Sequence, residues 1–291
     1  MPRLREFDPR LYQIAILSVL LVYGVGWLSF DIDVPHILLL LGTALATQYA
    51  CTKLWKLPAF DPRSALISGL SLCLLLRTHS DSLVIAGAVI AVASKFVIRF
   101  RGKHLFNPTN GAIVALILAT GSVWVSPAQW GNVAFFGFLM ACLGGLVVNR
   151  AARSDVTYAF IATYLSLVFW RSWHLGEPMT IPIHRLEAGG LLLFTFFMIS
   201  DPKTTPDSRM GRVIFAELVA AGAYFIQFKL FRTNGVLWSL AIFSFAVPVL
   251  DLLLPGTRYQ WATPKPAPAI EPVPQPEAVS EPSLVPLRRV S

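Results

Sequence analysis

Ten apolar runs separated by short polar breaks fill this chain from about residue 11 to residue 254, and that alternation limits its fold more than any other feature. The runs fall at about 11–30, 34–52, 64–78, 82–99, 109–126, 130–149, 156–171, 186–200, 212–231 and 233–254. A helix needs about 20 residues, within a range of roughly 17–25, to cross the hydrocarbon of a bilayer. Most runs qualify, and the third and eighth are short, at about 15 residues each. Composition points the same way. Of the 291 residues 55% are hydrophobic and only 14% are charged, whereas a soluble domain carries about 25% charge. Too few charged side chains remain to coat a globule in water. A soluble enzyme, a disordered protein and a fibrous repeat are all excluded for the chain as a whole. The expected class is an all-α polytopic membrane protein with about ten transmembrane helices.

The net charge of +8 raises nucleic acid as a partner. That reading fails because the bases punctuate the apolar runs, as membrane topology places them. With the N-terminus in the cytoplasm, the cytoplasmic segments hold 18 Lys and Arg and the opposite side holds 5, with Lys95 inside the fourth run. This asymmetry predicts an inner-membrane, multi-pass chain with both termini cytoplasmic. Residues 1–10 read as a cytoplasmic N-terminus, too charged, and followed by too long a run, for a cleaved signal peptide. The Pro-rich stretch 255–291 reads as a disordered cytoplasmic tail. Cys51, Cys73 and Cys142 show no short Cys-x-x-Cys spacing and read as buried thiols.

An internal repeat organises the runs. Leu105-Phe106-Asn107-Pro108-Thr109-Asn110-Gly111 opens the fifth, and Leu230-Phe231-Arg232-Thr233-Asn234-Gly235 opens the tenth, about 125 residues later. Five spans is an odd number, so the second copy runs the opposite way through the bilayer. The short third and eighth runs also occupy matching positions. Residues 11–127 and 128–254 are therefore expected to be two inverted five-helix repeats, with a binding site where interrupted segments meet. Pro108 pushes Asn107 toward an extended conformation. Thr109 or Asn110 is then expected to cap the fifth helix. Its N-terminus would suit a phosphate, a carboxylate or an electron-rich ring. A second polar constellation, Ser200-Asp201-Pro202-Lys203-Thr204-Thr205-Pro206 through Gly211-Arg212, follows the eighth run. There Asp201 is expected to cap, to pair with Lys203 or Arg212, or to face a ligand.

These two elements, Phe-Asn-Pro-Thr-Asn and Ser-Asp-Pro-x-Thr-x-Pro with its following Gly-Arg, resemble one family of redox-pump membrane proteins. It comprises NqrB, from the sodium-translocating NADH:quinone oxidoreductase, and RnfD, from the Rnf electron-transport complex (the NqrB/RnfD family). The resemblance covers roughly residues 60–250, with its sharp matches at 104–112 and 198–212. It implies ten helices in two inverted repeats, flavin binding and transmembrane electron transfer. Members usually attach FMN through a phosphoester to a Thr in a Ser-Gly-Ala-Thr motif beyond the fifth span. Here that region, Thr120-Gly121-Ser122-Val123-Trp124, lacks the motif, and Ala46-Thr47 and Ala162-Thr163 lack the preceding Ser-Gly. No covalent FMN-threonine is therefore expected, and a flavin (FMN or riboflavin) would be held non-covalently.

Two ionisable residues lie inside runs. Glu217 in the ninth is one turn from Arg212 and reads as its partner or as part of an ion or proton pathway. Lys95 in the fourth reads as snorkelling toward Arg99. The five histidines lie near run ends, which argues against bis-histidine haem, and no metal site is expected. No nucleotide fingerprint or hydrolase elbow occurs. The sequence thus reads as an electron-transport subunit without a catalytic motif of its own. It would bind flavin or quinone between its halves, with other membrane or peripheral redox subunits supplying and accepting electrons. The expected cofactor contacts are Asn107, Thr109, Asn110, Asp201, Thr204 and Thr205, and the expected ion or proton pathway involves Glu217 and Asn234. The other readings are a small-solute or ion transporter or channel on the same scaffold, without a redox cofactor, and a scaffold subunit.

Overall fold

The structure is a computed structural model that describes residues 8–126, 154–186 and 189–259. The sixth apolar run, Cys142 and most of the tail lie outside these residues. Among the described residues the protein is helical, with two minimal antiparallel ladders.

Helix α1 (Pro9–Trp27) begins with Asp8, whose carboxylate accepts from Arg10 N–H, and Pro9 fills the first turn, where no N–H is needed. Helix α2 (Val34–Leu54) repeats the device with Asp33 and Pro35. Helix α3 (Arg63–Leu75) has only 13 residues. At 1.5 Å per residue it spans about 20 Å, short of the roughly 30 Å hydrocarbon core. It ends where Leu76 turns extended, forming strand β1 (Leu76–Arg77). Helix α4 (Asp81–Val97) leads into a hairpin of β2 (Arg99–Phe100) and β3 (Lys103–His104). Its two loop residues, Arg101 and Gly102, both have positive φ, which suits the twist of a two-residue hairpin turn. Helix α5 (Pro108–Thr120), again 13 residues, is followed by β4 (Trp124–Val125). Strand β4 pairs with β1, Leu76 opposite Val125 and Arg77 opposite Trp124.

The later part holds α6 (Ser154–Leu175), α7 (Thr180–Leu186) and α8 (Gly189–Leu193). Helix α8 widens into a π-helical turn over Phe194–Met198. A loop then leads to α9 (Arg209–Phe228), capped by Ser208 accepting from Gly211 N–H. Helix α10 (Gly235–Phe243) passes through a 3-10 turn into α11 (Val247–Leu253).

Helical segments thus fall on nine of the ten apolar runs, all those within the described residues. Among the described residues, four stretches are long and apolar enough to cross a membrane: Pro9–Trp27, Val34–Leu54, Arg209–Phe228 and Gly235–Leu253. The core forms where α2 packs on α4, α1 on α3, and α9 on both α6 and α10, while α5 joins α10. Close approach of α9 and α10 needs a glycine: a Cβ on Gly222 would lie 2.5 Å from Ser239 Oγ, which itself donates to Val219 O at 2.7 Å.

Candidate functional site

The start of α5 differs from the sequence expectation. Neither Thr109 nor Asn110 caps α5. Asn107 does, because Pro108 at the first helical position leaves Asn107 extended, and its Oδ1 accepts from Asn110 N–H at 3.1 Å. The same side chain reaches across the molecule. Its Nδ2 donates to Met198 O at 3.3 Å and lies 3.5 Å from Asp201 Oδ2. The two motifs, 94 residues apart, therefore meet. Met198 ends the π-helical turn, and such turns leave main-chain carbonyls out of regular register.

Around this contact the polar groups are buried and part of their hydrogen-bonding capacity is unused. Asn110 is 0% exposed and donates from Nδ2 to Leu237 O at 3.2 Å, in the first turn of α10, while its Oδ1 has no partner. Thr205 is 0% exposed with an unpartnered Oγ1. Thr109 and Thr204 are buried too, and Thr204 Oγ1 donates to Asp201 O at 3.3 Å. Asp201 Oδ1 accepts from Lys203 N–H at 3.0 Å, which folds the loop into a tight Asx turn. The pairing of Asp201 with Arg212 does not form, because Arg212 turns to Asp155, donating from Nε at 2.8 Å and 2.9 Å.

Two residues that the sequence placed elsewhere belong to this cluster. Lys95 does not snorkel toward Arg99. It is 5% exposed and donates from Nζ to Ser64 O at 2.8 Å and Ser64 Oγ at 3.0 Å. Asp201 is the acid whose charge acts on it. The signal was available, since a base within an apolar run is unusual even in the last turn of its helix. His104 precedes the Leu-Phe-Asn-Pro element directly, and its ring hydrogen-bonds the main chain of Lys95. Burial, then the nearby charges of Arg99, Lys95 and Lys203, push it down to about 4. His104 is therefore an uncharged imidazole at neutral pH, with a buried Nδ1 that has no partner. Lys203 is likewise lowered, by burial first, with Asp201 opposing the shift.

The remaining candidates lie apart. Asn234 adopts a left-handed conformation (φ 58°) at the start of α10. It lines a cavity of about 280 Å³ with Gln227, Arg185 and Tyr164, whose hydroxyl donates to Gln227 Oε1 at 2.9 Å. Glu217 is exposed on α9 and joins neither cluster.

Chemically, the Asn107–Asp201 cluster offers amide, hydroxyl and imidazole groups with spare capacity beside one carboxylate and one buried ammonium. Of the unpartnered groups, Thr205 Oγ1 can donate to a flavin or quinone carbonyl, whereas Asn110 Oδ1 only accepts and would be met by a flavin ring N–H but not by a quinone.

Comparison with known proteins agrees with the motif reading. Three relatives are each described as the D component of an ion-translocating oxidoreductase complex. The one from Erwinia tasmaniensis is 29% identical over 152 residues, covering 50% of this chain and 38% of the relative. That from Marinobacter nauticus is 28% identical over 159 residues, 53% of this chain and 40% of the relative. That from Pectobacterium carotovorum is 30% identical over 128 residues, 42% and 34% respectively. The chain thus matches about two-fifths of these relatives' own length. The family match begins at residue 125, so it contains the Asp201 loop but not the Asn107 motif, a narrower span than residues 60–250. Residues 125–260 match the model of the NQR2, RnfD, RnfE family.

Proposed function

We propose that this protein is a membrane electron-transport subunit that holds a flavin (FMN or riboflavin) non-covalently, or a quinone, against the Asn107–Asp201 cluster. The observation that carries this reading is the bond from Asn107 Nδ2 to Met198 O beside Asp201, which joins the two motifs into one buried polar site. When bound, the flavin or quinone would accept and release the electrons. The residues would supply its surroundings. Asn107 and Asn110 orient the first turn of α5, Asp201 and Thr205 present the opposing loop, and Lys95 supplies buried positive charge. The apolar wall keeps water out.

In this reading the helical runs make about ten crossings in two inverted repeats, with both termini on the cytoplasmic side of the inner membrane. The first turns of α5 and α10 meet through Asn110 and Leu237, as two such repeats would arrange their interrupted segments. Other subunits of a redox complex would deliver and remove electrons.

Purified protein reconstituted with riboflavin or FMN should show the flavin absorption bands, and Asn107→Ala should weaken binding by at least ten-fold. Protein that stays colourless with flavin and binds no quinone analogue overturns the reading. Fluorescence retained on a denaturing gel would overturn the non-covalent attachment alone. A second reading, a small-solute or ion transporter, is favoured by the cavity at Asn234, which Gln227, Tyr164 and Arg185 also line. It expects a colourless protein whose vesicle uptake is abolished by Asn110→Ala.

A further inference from the structure

Helix α9 carries a charge that no described residue beside it neutralises. Glu217 lies eight residues from the helix start at Arg209 and eleven from its end at Phe228. At a rise of 1.5 Å per residue these are about 12 Å and about 16 Å. The helix is long and apolar enough to cross a membrane, so this carboxylate sits near the middle of a span. The inward face, with Phe215, Val219, Ala220 and Ala223, packs on α6 and α10. Glu217 lies on the other side and is exposed. So are Met210 (61%), Ala221 and Phe225 (53%), which follow one another at helical spacing on the same stripe.

The base one turn away does not help. Arg212 is committed to both oxygens of Asp155 and to Asp207 O at 2.8 Å. Among the described residues Glu217 has no hydrogen-bond or ion-pair partner. It lines none of the described cavities, so no water-filled recess within them solvates it. An acid in hydrocarbon is expensive and is normally met by protein or water. Among the described residues, the side left open to Glu217 is outward.

We propose that the outward stripe of α9, from Met210 to Phe225 and centred on Glu217, docks a membrane-spanning helix of a different subunit that presents Lys, Arg or His at the depth of Glu217. This rests on the reading that the chain works inside a complex. Ala221, one turn beyond Glu217, lets a neighbouring backbone come close. A second copy of this chain fits poorly. A two-fold contact centred on the stripe would set Glu217 against its own counterpart, and like charges repel.

The test uses the full chain in its own membranes. A photo-crosslinking residue, p-benzoylphenylalanine, replaces Ala221, and a second chain carries it at Met210. The expected adduct joins a membrane helix of another subunit with a basic residue within one turn of the linked position. Glu217→Gln should lower its yield at least five-fold. Glu217→Lys combined with an acid at the partner's base should restore it. Adducts confined to lipid, to a second copy or to residues 127–153 of the same chain overturn the proposal, as does a yield that Glu217→Gln leaves unchanged. Flavin content of the same membranes is read separately. Its loss with the adduct intact counts against the redox reading and leaves the docking surface standing.

Discussion

One side chain, Asn107, both starts a helix and joins distant parts of the chain, so its substitutions separate two effects. Asn107→Ser keeps a cap for α5 but is too short to reach Met198 O. Asn107→Ala loses both. The alanine variant should lose about 1–2 kcal/mol and the serine variant distinctly less, read as denaturant or thermal midpoints in detergent. Equal losses in both would mean the cap contributes nothing. Asp61 gives a pH prediction. It accepts from Arg10 at 2.7 Å and from Arg63 at 2.7 Å and 2.9 Å. Partial burial pushes its carboxyl up, but the bonds from Arg63 and the charge of Arg10 outweigh this and hold it at about 2. Asp8, bonded to the same two arginines, is lowered as well. A folded value below the unfolded one means folding favours the ionised form. The stabilisation is complete above the ordinary carboxylate value of about 4 and is lost as pH falls through about 2. Arg10→Gln should therefore lower the thermal midpoint at neutral pH and flatten its fall between about pH 4 and pH 2, so that variant and parent converge near pH 2.

At the scale of elements, the interrupted helices need partners for their ends. The last turn of α3 leaves carbonyls without helical partners in apolar surroundings. Arg77 fills that role, donating from Nη1 to Cys73 O at 2.9 Å and Leu76 O at 2.8 Å. Arg77→Met should cost about 3 kcal/mol or more, because it orphans buried carbonyls. Arg77→Lys, with a compact ammonium in place of the planar fork, should recover only part of that. Thermal unfolding of the two variants checks the order, and a methionine variant as stable as the parent would remove Arg77 from this role. The shortness of α3 and of the eighth run was legible, since apolar length can be counted. The hairpin at Arg101–Gly102 and the π-helical turn at Phe194–Met198 were not. Two residues of positive φ and one extra residue per turn leave no mark on hydropathy.

Across the whole molecule, Lys103 ties the early part of the chain to the late part. Its Nζ donates to Asp207 at 3.0 Å and to Asp251 at 2.7 Å, and Asp251 also accepts from Asp207 N–H at 2.8 Å. Removing the base leaves two carboxylates facing each other with little water. Lys103→Met should destabilise by about 3–5 kcal/mol, and adding Asp251→Asn should recover part of the loss. A double variant no better than the single one would show that the triad does not act as a unit.

The sequence alone determined where the helices run and which two motifs carry polar chemistry at helix ends. Those properties are local, because hydrocarbon demands about 20 apolar residues whose backbone bonds are satisfied within the segment. Only the tertiary structure decided which polar groups meet. Asn107 reaches Asp201 across 94 positions, Lys103 reaches Asp251 across 148, Lys95 turns inward to Ser64, and Arg212 leaves Glu217 for Asp155. Each choice depends on how helices pack and rotate against one another. Spacing along the chain gives a side chain its face on the helix but not the neighbour that face will find.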